Sequence, residues 1–286
     1  MDSQGWCMVY PIVLAESRAL FGWRLGRYQY GDALIVGMLL WAVCHDRPAA
    51  WACDRRHYGG AFRPRRLPSP SQFSRRLRSE RTAQLLTAVF RRLGETDRAA
   101  PVCYLDAKPL VVGPCSKDHD ARAGRVYGGF ARGYKLHAIT TEDRRFLCWS
   151  VEPLNVDEGR VATELVDIVR PRGLLLADGN YDSGALYDQV ASWGGQLLAP
   201  IPPNAGRGHR RQSAARLSAI ASWQGVAGYV YRDRIGIEQI FGHLTSLGGG
   251  LGPLPAWVRT LPRVRRWVGC KLILYHARLR LRNKAA

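Results

Sequence analysis

Residues 173–200 read GLLLADGNYDSGALYDQVASWGGQLLAP. GLLLAD is a continuous apolar run of strand length that ends on Asp178, at an Asp-Gly pair suited to a turn. DSGALYDQVASWG has helical apolar spacing and predicts a helix with Asp182 as its N-cap. QLLAPIP predicts a further strand. Strand, helix and strand in immediate succession are the building unit of a layered α/β domain.

The residues upstream extend the same layer. PVCYLDAKPLVVG, from Pro101, is a short apolar strand interrupted by Asp106. GYKLHAITT and RFLCWSVEP predict two strands joined by the polar turn EDR, and hence an antiparallel pair. NVDEGRVATELVDIV has helical spacing with an acidic first turn, which suits the helix dipole. The order implies a mixed sheet flanked by helices. Asp106 is the conspicuous residue, because a carboxylate in an apolar strand is costly to bury without a partner. Asp178 ends a strand, at the sheet edge where α/β ligand sites lie.

Downstream, YRDRIGIEQIFGHLTSL spans residues 231–247. At helical periodicity Tyr231, Arg234, Glu238 and Thr245 fall within about 60° of one another around the axis. Ile237, Ile240, Leu244 and Leu247 occupy the opposite side as a core-facing stripe, with Phe241 near its edge. An Arg four residues before a Glu is the weaker order for helix support. The alternative is that Glu238 converges on the two aspartates. Two neighbouring carboxylates repel, and a divalent cation relieves both that repulsion and their burial. Three acids would form an oxygen-rich site for one or two Mg²⁺ (or Mn²⁺) ions, of the kind that activates water in phosphoryl transfer.

Composition narrows the partner. Among 286 residues, 42 Lys and Arg oppose 23 Asp and Glu, a net charge of +19. Such an excess implies a polyanion, nucleic acid ahead of an anionic membrane surface. The longest apolar run, residues 33–44, is too short to span a bilayer, and the first residues lack the pattern of a secretory signal. Seven scattered cysteines without a CxxC pair fit a reducing cytoplasm. Cys44, His45, Cys53 and His57 match no common zinc spacing. The first 98 residues predict helices, with Ser71 a candidate cap and Gly94 a stop. A basic cluster there, Arg75, Arg76, Arg78 and Arg81, suits backbone phosphates. A second basic stretch, residues 202–226, interrupts the α/β pattern and carries Arg210 and Arg211. The tail from Arg263 predicts a closing amphipathic helix.

YLDA, LLLADGNYDS and YRDRIGIEQIF resemble the three acidic motifs of bacterial insertion-sequence DDE transposases, whose catalytic domain is RNase-H-like. Tyr231, Arg234 and Glu238 match the spacing of that group's Tyr-x2-Arg-x3-Glu-x6-Lys signature, with Thr245 standing where the lysine falls. The resemblance runs over about residues 101–283, and PSPSQFSRRLR is similar to a recurrent segment nearer the N-terminus. It implies an N-terminal helical DNA-binding region, residues 1–98, and an RNase-H-like catalytic domain, residues 99–286. It implies that Asp106, Asp178 and Glu238 bind metal, and that Tyr231 and Arg234 contact phosphate beside the scissile bond. In the family the lysine joins that contact, so Thr245 leaves part of it in question. Trp223 is the nearest candidate for stacking on an unpaired base. The implied activity is cleavage at transposon ends followed by transfer of a 3′-hydroxyl into target DNA. The implied partners are the element's terminal inverted repeats, target DNA and a second copy of the chain, in the cytoplasm beside the nucleoid. Two further readings stay open: a decayed transposase that only binds DNA, and an RNase-H-like nuclease.

Overall fold

The computed structural model describes residues 3–22, 28–95, 100–126, 128–201, 213–246 and 250–285. In chain order the helices and strands are α1 (Ser3–Phe21), α2 (Asp32–Cys44), α3 (Pro70–Leu77), α4 (Glu80–Gly94), β1 (Val102–Val111), β2 (Arg122–Val126), β3 (Gly129–Thr141), β4 (Phe146–Pro153), α5 (Glu158–Val169), β5 (Leu174–Ala177), α6 (Gly184–Ser192), β6 (Gln196–Leu198), α7 (Ala214–Ser222), the single turn α8 (Gly228–Val230), α9 (Ile235–Ser246) and α10 (Leu261–Ala285). None of the described helices is long and apolar enough to cross a membrane. The seven cysteines are free thiols.

The chain forms two compact units. The α/β unit holds residues 96–243 and 259–261. Its sheet runs β2-β3-β1-β5-β6, with β4 also paired to β3. β1 is antiparallel to β3, and β3 to β4, whereas β5 is parallel to both β1 and β6. Four antiparallel strands followed by two parallel ones make a mixed sheet of the RNase-H-like kind that the sequence predicts. The β3–β4 hairpin turns at the EDR segment, where Arg144 takes a positive φ of 69°.

β2 was not predicted. It is a five-residue edge strand, RAGRV, paired with the first residues of β3, and it shows no apolar alternation to announce it. Two caps also differ from expectation. Ser69, not Ser71, caps α3 in a reciprocal box with Gln72. Ser183 is the N-cap of α6, and Asp182 instead holds Arg216 in a two-pronged ion pair at 2.7 Å.

One close approach fixes the register between β1 and β5. Leu174 donates its N–H to the Pro101 carbonyl at 2.8 Å. The preceding residue is Gly173, where a Cβ would lie 2.1 Å from that same oxygen. Only glycine fits there, and β5 is thereby set beside β1 with Leu105 opposite Ala177.

The second unit holds residues 1–95, 244–258 and 262–286. This unit thus takes in C-terminal residues together with the first 95. The reason is visible in α10. Its Val264, Val268, Leu272 and Ile273 are buried, and Arg280 donates to the Leu93 carbonyl at the end of α4. Lys271 reaches the end of α2, donating to the Val43 carbonyl and pairing with Asp46. Within this unit α2 is buried on nearly every side, as a central bundle helix should be.

Candidate active site

β1 and β5 end their pairing at Leu105 and Ala177, so Asp106 and Asp178 are the next residues on two adjacent parallel strands. Asp178 continues in an extended conformation, φ −79° and ψ 174°. Neighbouring strands run about 4.8 Å apart, and residues in register point to the same face. The two carboxylates are side by side for that reason.

Each carboxylate is partly satisfied by the protein. Asp106 Oδ1 accepts the Ala107 N–H at 2.7 Å, and Oδ2 accepts from the Arg234 guanidinium at 3.3 Å. Asp178 accepts from the Asn180 backbone and side-chain amides at 2.9 and 3.2 Å. Burial pushes Asp106 up to about 6, opposed by the Ala107 N–H and the Arg234 charge and reinforced by Asp178 and Glu158. Burial raises Asp178 as well, with Asn180 and Arg234 acting against it.

The approach to α9 is built in two steps. Residues 231–234 form a tight 3-10 turn, and the α-helix proper begins at Ile235. The single continuous helix expected over 231–247 is thus divided before Ile235. Ile237, Ile240, Phe241 and Leu244 are buried as predicted, and Leu247 lies outside the described residues. A Cβ on Gly236 would sit 3.4 Å from the Tyr104 ring, two residues before Asp106 on the same strand face. The first turn of α9 therefore covers the side of β1 that carries Asp106.

The 3-10 turn fastens to the acidic strands. The Tyr231 hydroxyl donates to the Ala177 carbonyl at 3.0 Å, one residue before Asp178. Its phenol is raised by burial, against the Arg234 charge. Trp223, half-buried, packs on Tyr231 with ring centroids 5.0 Å apart. Tyr231, Arg234, Asp106 and Asp178 are thus gathered together. Glu238 and Thr245 are exposed on α9. Among the described residues no three Asp, Glu, His or Cys side chains are gathered closely enough to hold a metal ion, so Glu238 is not drawn in beside the two aspartates.

Other predicted residues fall differently. Arg75 and Arg78 are exposed, but Arg76 is buried and pairs with Asp32 at 2.5 Å. It also donates to the Tyr30 carbonyl at 2.7 Å, so its expected role as a phosphate contact is corrected to one in the fold. Arg81 reaches the other Asp32 oxygen at 2.7 Å. Arg210 and Arg211 lie outside the described residues.

Four residues join the site that sequence reasoning missed. Glu158, at the start of α5, forms an ion pair with Lys135 of β3. Its charge bears on Asp106, Asp178 and the buried Tyr181 and His137. The Tyr181 hydroxyl and both His137 ring nitrogens are buried without a hydrogen-bond partner. Burial pushes His137 down to about 4, which keeps it neutral. Tyr181 is held by the turn after β5, where its N–H donates to the Asp178 carbonyl at 3.1 Å.

The donor set suits a divalent cation. Two carboxylates lie side by side, both raised by burial and Asp106 raised further by Asp178, and a cation would favour their charged forms as Arg234 already does in part.

No curated protein matches the chain. A piggyBac transposase synaptic complex with hairpin DNA is similar over 94% of this chain and 72% of that one, at 8% identity and a TM-score of 0.45. The family described as "Transposase DDE domain" matches residues 98–251, more than half of the chain. This span contains Asp106, Asp178, Tyr231, Arg234 and Glu238, and the chain belongs to the DDE transposases, enzymes of metal-dependent phosphoryl transfer on DNA.

Proposed function

We propose that this enzyme is the transposase of an insertion sequence, cutting at the element's terminal inverted repeats and joining the freed 3′-hydroxyl to target DNA. The observation that carries the reading is the shared register of Asp106 and Asp178, with Arg234 on Asp106. Asp106, Asp178 and Glu238 are the proposed ligands of Mg²⁺ or Mn²⁺, as two ions. When bound, such ions activate water and steady the leaving oxygen of an in-line displacement.

The protein's own part is electrostatic and positional. Arg234 ends the 3-10 turn with one guanidinium nitrogen on Asp106, where the group's positive charge suits a phosphate oxygen. Tyr231 fixes that turn on β5, and Trp223, packed on Tyr231, remains the candidate for stacking on an unpaired base. Glu238, one turn further along, would complete the ligand set with the aspartates in the complex with DNA and cation. The excess positive charge supplies duplex affinity, with Arg75 and Arg78 in the helical unit among the contacts, Arg210 and Arg211 as further basic candidates, and the protein acts on DNA as a homodimer.

The test is incubation of labelled element ends with Mg²⁺ or Mn²⁺, scored for both cleaved and joined products. Glu238→Gln should abolish both while end binding persists. Normal cleavage by that variant would reduce α9 to a surface helix. Binding by the unaltered chain with no cleavage under any divalent ion would favour the decayed transposase, which Thr245 in place of lysine also fits.

A further inference from the structure

The segment RRHYGGAFRPRR, residues 55–66, has no part in the site above. It turns at Gly60, φ 58°, and closes a short antiparallel bridge between Gly59 and Phe62. Phe62 is buried, its ring 4.8 Å from both Trp6 and Tyr10. Pro64 is buried as well, and Arg63, Arg65 and Arg66 are exposed around it. The backbone is pinned at two further points: Arg55 donates to the Arg65 carbonyl at 2.8 Å, and the Tyr30 hydroxyl to the Leu67 carbonyl at 3.1 Å. The three arginines are therefore presented by a fixed loop.

Beside that loop lies an open groove of about 600 Å³. Tyr10, Tyr30, Phe62, Arg63, Arg65 and Arg66 all line it, and no Asp or Glu takes part in its lining. Three arginines in one groove, with no acid in its lining, call for a ligand with repeated negative charges. The planar fork of arginine matches phosphate oxygens in particular. Aromatic rings in the same lining call for a flat, weakly polar group. A cationic track beside aromatic rings is the combination by which proteins hold single-stranded nucleic acid, and the volume accommodates a nucleotide.

We propose that this groove binds single-stranded DNA, its phosphates on Arg63, Arg65 and Arg66 and a base against Tyr10 and Tyr30. The site uses none of the carboxylate residues, so it stands or falls separately from the cleavage reading. It would give the protein a place for a strand released from pairing.

The full-length protein is titrated with a fluorescent oligothymidylate, and a 5-bromodeoxyuridine version is photocross-linked and mapped by mass spectrometry. The expected result is saturable binding with cross-links on Tyr10 or Tyr30. The triple variant R63A/R65A/R66A should bind roughly tenfold or more weakly, and the log–log salt slope should fall by about 2, at about 0.7 per phosphate on a single strand. R63K/R65K/R66K, which keeps the charge, should hold the slope while losing part of the affinity, and it serves if the alanine variant does not fold. Unchanged affinity in a folded variant would overturn the proposal. So would cross-links confined to other residues, or equal binding of inorganic polyphosphate, which would mark a plain anion patch.

Discussion

The Arg234 guanidinium lies 3.3 Å from Oδ2 of Asp106, although the two are separated by most of the α/β unit in sequence. Its positive charge lowers Asp106 against the burial that raises it to about 6. Arg234→Ala should push Asp106 above that value, and Arg234→Lys should restore part of the difference. Carboxyl-carbon NMR titration of the metal-free protein reads this directly. An Asp106 that titrates identically in all three proteins would mean the pair is too loose to matter.

Asp106 also ties stability to pH. Its folded value of about 6 exceeds the ordinary carboxylate value of 3.8, so the folded state holds the proton more tightly. The stability this supplies is complete below pH 4 and is lost as pH rises through about 6. Asp106→Asn should remove this dependence and stabilise the metal-free protein at neutral pH by roughly 1–3 kcal/mol. Urea denaturation between pH 4 and 8, with chelator present, is the measurement. A variant less stable than the parent at pH 8 would contradict it.

Tyr181 offers a test of buried polarity. Its hydroxyl is fully buried and has no hydrogen-bond partner, a state that costs about 1–3 kcal/mol. Tyr181→Phe should leave the metal-free protein as stable or about 1 kcal/mol more stable. Chemical denaturation decides, and a clear loss would show that the hydroxyl does find a partner in solution.

The arginines of α3 should separate cleanly. Arg76→Ala removes one partner of a buried ion pair and should cost about 2–4 kcal/mol, somewhat softened because Arg81 still holds Asp32. Arg78→Ala, at an exposed position, should change stability by less than about 0.5 kcal/mol and act on DNA affinity instead. Thermal melts and end-binding titrations on the two variants check both halves. Equal melting temperatures would refute the structural role of Arg76.

Much of the α/β unit was legible because its elements announce themselves locally. β5 reads as an apolar run ending on Asp178, and α5 carries its acidic first turn at Glu158. The α3 arginines were legible too, had phase been applied: Arg76 shares its helix face with Phe73 and Leu77, and all three are buried. Cap positions shifted by one or two residues, since Ser69 and Ser71, or Asp182 and Ser183, offer the same side-chain chemistry. What could not be read was pairing across distance. The Lys135–Glu158 pair and the burial of His137 depend on α5 crossing the sheet, and no local spacing encodes that. The assignment of α10 to the helical unit is likewise set by its burial partners, not by its own pattern.

The Leu105–Ala177 register has a consequence for how this gene can change length. Successive residues of a strand face opposite ways, so gaining or losing one codon between 102 and 106, or between 174 and 178, would turn an aspartate to the other side of the sheet. The same event in the Glu142–Arg144 turn would leave both aspartates where they are. A library of single-codon insertions and deletions should therefore show two short windows of complete intolerance, one before each aspartate, flanked by permissive turns. Two-codon changes there, which preserve facing, should be less damaging than one-codon changes.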